Sequence, residues 1–136
     1  MRRSLCVAAF LAVPAVCWAG KLMMVDSGEL AGSAERVMLF DDFDGSLSDP
    51  NWLVERAGEN WSTPREALVV GNQLWVSDQN SDRVLRFSYP DLNYLGAITL
   101  LPSGVAMDNL RGMGALGGKV YVANGTLGTT NANRGI

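Results

Sequence analysis

The stretch REALVVGNQLWVSD at residues 65–78 is echoed by RGMGALGGKVYVAN at residues 111–124, an offset of 46. Arg65/Arg111, Gly71/Gly117 and Val76/Val122 are identical pairs, and Leu74/Val120, Trp75/Tyr121 and Asp78/Asn124 keep their physical type. A second echo, at offset 47, sets AERVMLF (34–40) against SDRVLRF (81–87). A period of this length outranks any single-element reading, because it says that one supersecondary unit is stacked on itself.

Within the period the local chemistry is that of short antiparallel strands. Residues 67–70 are a small apolar run, and Gly71-Asn72 offers the positive φ that a tight hairpin needs. Residues 73–77 return rich in aromatic and β-branched types, residues 78–82 form a polar turn, and residues 83–87 make a third strand. After the turn at residues 89–93, residues 94–100 make a fourth. Four strands in about 45 residues is the signature of a β-propeller blade. No segment beyond residue 20 has sustained helical periodicity with caps.

At these residues the chain resembles NHL-repeat β-propellers. Val76-Ser77-Asp78 with Asn80 and Arg83-Val84-Leu85-Arg86-Phe87 follows that pattern, and Val25-Asp26-Ser27 with Arg36-Val37-Met38-Leu39-Phe40-Asp41 follows it again. Residues 38–51 (MLFDDFDGSLSDPN) are also similar to exported bacterial propeller proteins of unassigned function. The resemblance implies an all-β chain of about two and a half four-stranded blades: a partial blade at 21–58, a full blade at 64–100 and an unfinished one at 110–136. Closed propellers use about four to eight blades. Propellers host enzymes, binders and scaffolds alike, so the resemblance implies architecture more than activity.

The N-terminus reads as an address. Arg2 and Arg3 precede an apolar run from Leu5 to Val16, closed by Cys17-Trp18-Ala19. The run is too short for a helix to span ~30 Å of hydrocarbon, which makes residues 1–19 a cleaved signal-peptide helix with Gly20 as the new N-terminus. An uncleaved anchor is the alternative. Cleavage removes both cysteines, Cys6 and Cys17, so the exported chain folds without a disulfide. It also leaves 9 of the 11 basic residues against 14 acidic ones. That balance points away from nucleic acid. Histidine is absent, so no imidazole base or metal ligand exists in the chain, and no cofactor is expected.

Candidate site residues are few. Arg65 and Arg111 recur where one unit hands over to the next, and planar guanidinium groups there suit a carboxylate or phosphate. The plainer role for each is a structural bond to a connection carbonyl, or pairing with Glu66 or Asp108. Trp61, in the connection at 58–64, is the aromatic placed to face a ligand, with packing as its competing role. Asp41-Asp42-Phe43-Asp44-Gly45 fails the calcium-loop spacing and reads as a hairpin turn. Asp78, Asn80 and Asp82 read as turn caps rather than cation ligands.

These residues favour an exported, NHL-like propeller segment with a binding or scaffolding role. The rival reading is the N-terminal piece of a propeller enzyme, such as a metal-dependent lactonase, whose active residues lie outside the chain. A third reading is self-association through uncapped blades. Val69, Leu74, Val76, Val84 and Phe87 are expected to be buried. Leu22, Met24, Met38 and Phe40 at one end, and Val120 and Val122 at the other, are expected on uncovered faces.

Overall fold

The computed structural model describes residues 20–30, 33–100, 102, 104 and 106–125 of the 136-residue chain. The segment read as a signal helix, and the third strand expected near residue 134, lie outside the described residues.

The described residues are all-β, with nine strands in three antiparallel sheets. The first sheet orders β1 (Lys21–Ser27), β2 (Glu35–Asp41) and β3 (Leu47–Val54). The second orders β4 (Pro64–Val70), β5 (Gln73–Asp78), β6 (Arg83–Ser88) and β7 (Tyr94–Ile98). The third is the hairpin of β8 (Met113–Leu116) and β9 (Lys119–Val122). Every pairing joins neighbours in sequence, and no sheet closes on itself. Among the described residues there is no helix, hence none long and apolar enough to cross a membrane.

Turn chemistry sets the registers. Gly71, at φ +61°, lets β4 turn straight into β5, pairing Val70 with Gln73 and Leu68 with Trp75. Gly117 and Gly118, at φ +58° and +75°, do the same for β8 and β9, with positive φ at both central positions.

Strand alternation then gives each sheet two distinct faces. In the second sheet, Leu74, Val76, Leu85 and Phe87 are fully buried in a core that includes Val37 and Leu53 of the first sheet. Its opposite face, with Val84, Leu68, Trp75 and Ile98, joins Met107, Leu110, Met113 and Val122 in a second core. The second sheet is therefore the filling of a three-layer stack, and β4 lies against both β1 and β8. Four of the five residues expected to be buried here are fully so. Val69 is half-buried, packed on the margin of the first core.

The two ends do not match the expectation equally. Leu22 and Met24 stay 55% and 47% exposed on the first sheet's outward face, with Met38 and Phe40 half-buried beside them. Val122, expected on an uncovered face, is instead buried in the second core, and Val120 packs against that core. The reason is parity. Val120 and Val122 are the counterparts of Leu74 and Val76, which face the preceding sheet, so they do likewise. The residues turned outward on the third sheet are Leu116 and Tyr121.

Candidate functional site

The connections between sheets carry most of the polar organisation. Asp78 ends β5 with no solvent exposure. Its carboxylate accepts two hydrogen bonds from the Ser62 N–H, at 3.1 and 3.0 Å, and one from Arg83 Nη2 at 3.4 Å. Arg83 Nη2 also donates to the Glu59 carbonyl at 2.8 Å and to the Asn60 carbonyl. One carboxylate and one guanidinium thus clasp the chain where it passes from the first sheet to the second. Burial pushes the Asp78 carboxyl above the ordinary aspartate value, against the lowering effects of the Ser62 N–H, the Ser81 side chain and Arg83.

The same device recurs 46 residues on. The Asp108 N–H donates to Asn124 Oδ1 at 2.6 Å, as Ser62 does to Asp78. Thr63 and Asn109, one residue after those donors, both take positive φ, at 75° and 49°. The first sheet repeats a different part of it: Arg36 Nη2 donates to Asp26 Oδ2 at 3.2 Å, as Arg83 does to Asp78. Arg36 and Arg83 even leave the same atom, Nε, buried and unpartnered.

Around these clasps a polar strip crosses all three sheets at one end. Arg65, at the start of β4, donates through Nη2 to Glu29 Oε1 at 2.7 Å and through Nε to Gln79 Oε1 at 2.5 Å. Gln79 Nε2 donates to Asn109 Oδ1, and the Asn109 N–H donates to Asp82 Oδ1 at 2.7 Å. Glu66 Oε2 accepts from the Met113 N–H, holding the inner edge of β4 to β8. Each of these carboxylates is occupied by a backbone amide or a guanidinium.

The two repeated arginines therefore differ. The charge of Arg65 is met by Glu29, while Arg111 is exposed and its guanidinium has no partner among the described residues. Neither Glu66 nor Asp108 pairs with Arg111: Glu66 holds Met113, and Asp108 enters through its backbone N–H. Trp61 is only 6% exposed; its ring packs against Phe87 at 5.9 Å and its Nε1–H donates to Glu59 Oε2 at 2.9 Å. Asp78 and Asp82 point to different partners, and Asn80 Nδ2 donates to Thr63 Oγ1 at 2.7 Å, so this turn gathers no common oxygen cage.

Sequence reasoning missed Glu29, Gln79 and Asn109 as members of the strip. Glu29 lies in the β1–β2 loop, which is longer than its counterpart, the turn at residues 78–82. Gln79 and Asn109 follow and precede aligned strands, and pairing across 30 residues leaves no mark on either.

Away from the strip, a cavity of about 780 Å³ opens between the second and third sheets, walled by Val70, Trp75, Ile98, Met107 and Val120, with Lys119 and Tyr121 at its margin. In chemical terms the strip is self-satisfied and the cavity apolar. No protein-family model matches the chain, and no curated protein matches it.

Proposed function

We propose that the chain is an exported segment of a β-propeller of the NHL-like kind, in which residues 21–58, 64–100 and 110–136 are successive blades and the role is binding or scaffolding rather than catalysis. The observation that carries this reading is the recurrence of one connection device at the sequence period: donor N–H to Asp78 or Asn124, followed by positive φ at Thr63 or Asn109. A repeat of conformation at the period of the sequence is what stacked blades require. The contact of β4 with β8, equivalent strands of successive units, supports a radial arrangement with these two strands innermost.

The deployment of the acidic groups supports the non-catalytic part. Asp78, Glu66 and Asp82 accept backbone N–H groups, and Asp26 and Glu29 neutralise arginines. A carboxylate engaged in this way is a structural acceptor and a poor general base. Arg111 is the group available to an external anion.

Mass spectrometry of chain recovered outside the cytoplasm is expected to find Gly20 at the N-terminus; an intact Met1 on soluble material would refute export with cleavage. Assays with lactones, with and without added divalent cations, are expected to show no turnover. Metal-dependent hydrolysis that is lost in an Asp78 or Glu66 variant would overturn the binding reading.

A further inference from the structure

Resting on the stacked-blade reading, we propose that the chain associates head to tail with a second copy of itself, the outward face of the first sheet receiving the outward face of the third. The second sheet shows what each face of a unit is built to meet, because it has a neighbour on both sides. Towards the preceding sheet it buries Leu74, Val76, Leu85 and Phe87. Towards the following sheet it packs Leu68, Trp75, Val84 and Ile98.

The molecule's two ends carry one of these faces each. The first sheet turns outward Leu22, Met24, Met38 and Phe40, in register as Leu22 with Phe40 and Met24 with Met38. These stand where the second sheet has Leu74, Val76, Leu85 and Phe87. The third sheet turns outward Leu116 and Tyr121, 75% and 40% exposed, where the second sheet has Val70 and Trp75. The first sheet's outward face is therefore built to meet a preceding sheet, and the third sheet's outward face to meet a following one. Two internal interfaces of the same design, first-to-second and second-to-third, are the template for a third between copies.

The face on the first sheet is also framed for a specific fit. Asp26 and Arg36, paired on the same face, neutralise each other at one end of it, so its apolar centre is bounded there by charges already satisfied. Contiguous exposed apolar residues on a sheet face mark an association site. Because the contact joins unlike faces, it closes a ring or runs on as a fibre. A closed dimer, each copy's first sheet receiving the other's third, uses both faces of each copy and is the expected form.

The test uses the full chain, purified in the form the cell leaves it, with mass read by light scattering on a sizing column. The wild type is expected at twice the chain mass. Met24→Glu alters the head face and Leu116→Glu the tail face, both at exposed positions that spare the fold, as circular dichroism checks. Each variant alone is expected at the monomer mass. An equimolar mixture retains one intact head and one intact tail, and is expected to regain a two-chain, 1:1 particle. A monomeric wild type, a dimer that both variants leave intact, or a dimer broken by Met24→Glu but not by Leu116→Glu would each overturn the proposal. The last would mean that two first sheets meet face to face. If the chain is monomeric while Phe87→Ala still unfolds it cooperatively at lower denaturant, the stacked-blade reading stands and the docking alone has failed.

Discussion

The first and second sheets are written in nearly the same alternating pattern, yet they end in different physical states. Leu74, Val76, Leu85 and Phe87 have no solvent exposure, whereas Leu22, Met24, Met38 and Phe40, their counterparts, sit at a surface. Asp78 and Asp26 each close an antiparallel pair with an arginine, but only the first is sealed from water and charged with holding a second backbone segment. The pattern in a strand says which residues share a face. Whether that face is dry depends on the sheet beside it.

Four experiments probe this difference. The largest effect belongs to the aromatic pair. Phe87→Ala empties a site walled by Trp61, Tyr94 and the first core, and is expected to cost about 3–5 kcal/mol. Phe40→Ala, on the half-buried face, is expected to cost about 1 kcal/mol. Urea unfolding at low protein concentration measures both. Equal losses would mean that the first sheet's outward face is as dry as the core, and the distinction between the sheets would fall.

Next come the two clasps. Asp78→Ala strands the Ser62 N–H and Arg83 in a buried setting, an expected loss of about 1–3 kcal/mol. Asp26→Ala breaks a partly exposed pair and should cost less than about 1 kcal/mol. Asp78→Asn is expected to retain much of the stability, since Asn124 already performs the same acceptance through an amide oxygen. If Asp78→Asn is as harmful as Asp78→Ala, charge rather than acceptor geometry holds the clasp.

The pH dependence separates buried from exposed carboxyls by sign. The Asp78 carboxyl is raised in the folded chain, so the native state binds more protons than the unfolded one between the two values. Stability from this group is greatest below the ordinary aspartate value and falls as pH rises through the raised one. Asp41 is lowered, by the Phe43 N–H first and by Lys21 next, and Asp44 is lowered chiefly by the Ser46 N–H. Their contributions are present above the ordinary value and are lost as pH falls from it through the lowered one. The denaturation midpoint of wild type relative to that of Asp78→Asn, taken from pH 4 upward, is expected to rise as the pH falls. A wild-type midpoint that drops relative to the variant towards acid would reverse the sign assigned to Asp78.

The smallest contrast lies between the repeated arginines. Arg65→Ala removes a bond to Gln79 and a half-exposed pair with Glu29, worth about 0.5–1 kcal/mol. Arg111→Ala is expected to leave stability within about 0.5 kcal/mol. The order reverses for anion binding. Phosphate titration followed by NMR should move signals near residue 111 and not near residue 65. A common response would restore the two arginines to one site.

Much of the molecule is determined by the sequence alone. Gly71-Asn72 and Gly117-Gly118 fix two hairpins, because few other residues tolerate the required φ. The offset of 46 then locates a matched pair of units, and alternation sorts Leu74 and Val76 from Trp75. That last rule also puts Val120 and Val122 on one face of β9, but the expectation that this face is uncovered fails, because it packs against the second sheet. The tertiary structure alone decided three other things. It gave Arg65 an ion pair and left Arg111 without one, because Glu29 arrives from a loop longer than its counterpart in the next unit. It buried Trp61 by setting Phe87 beside it. It turned Asp78 from a turn cap into a clasp on Ser62, since that bond joins groups 16 residues apart. Local geometry follows from backbone torsions and period, which each short segment carries within itself. Charge partners and burial follow from which distant segments arrive alongside, and no segment encodes its neighbours.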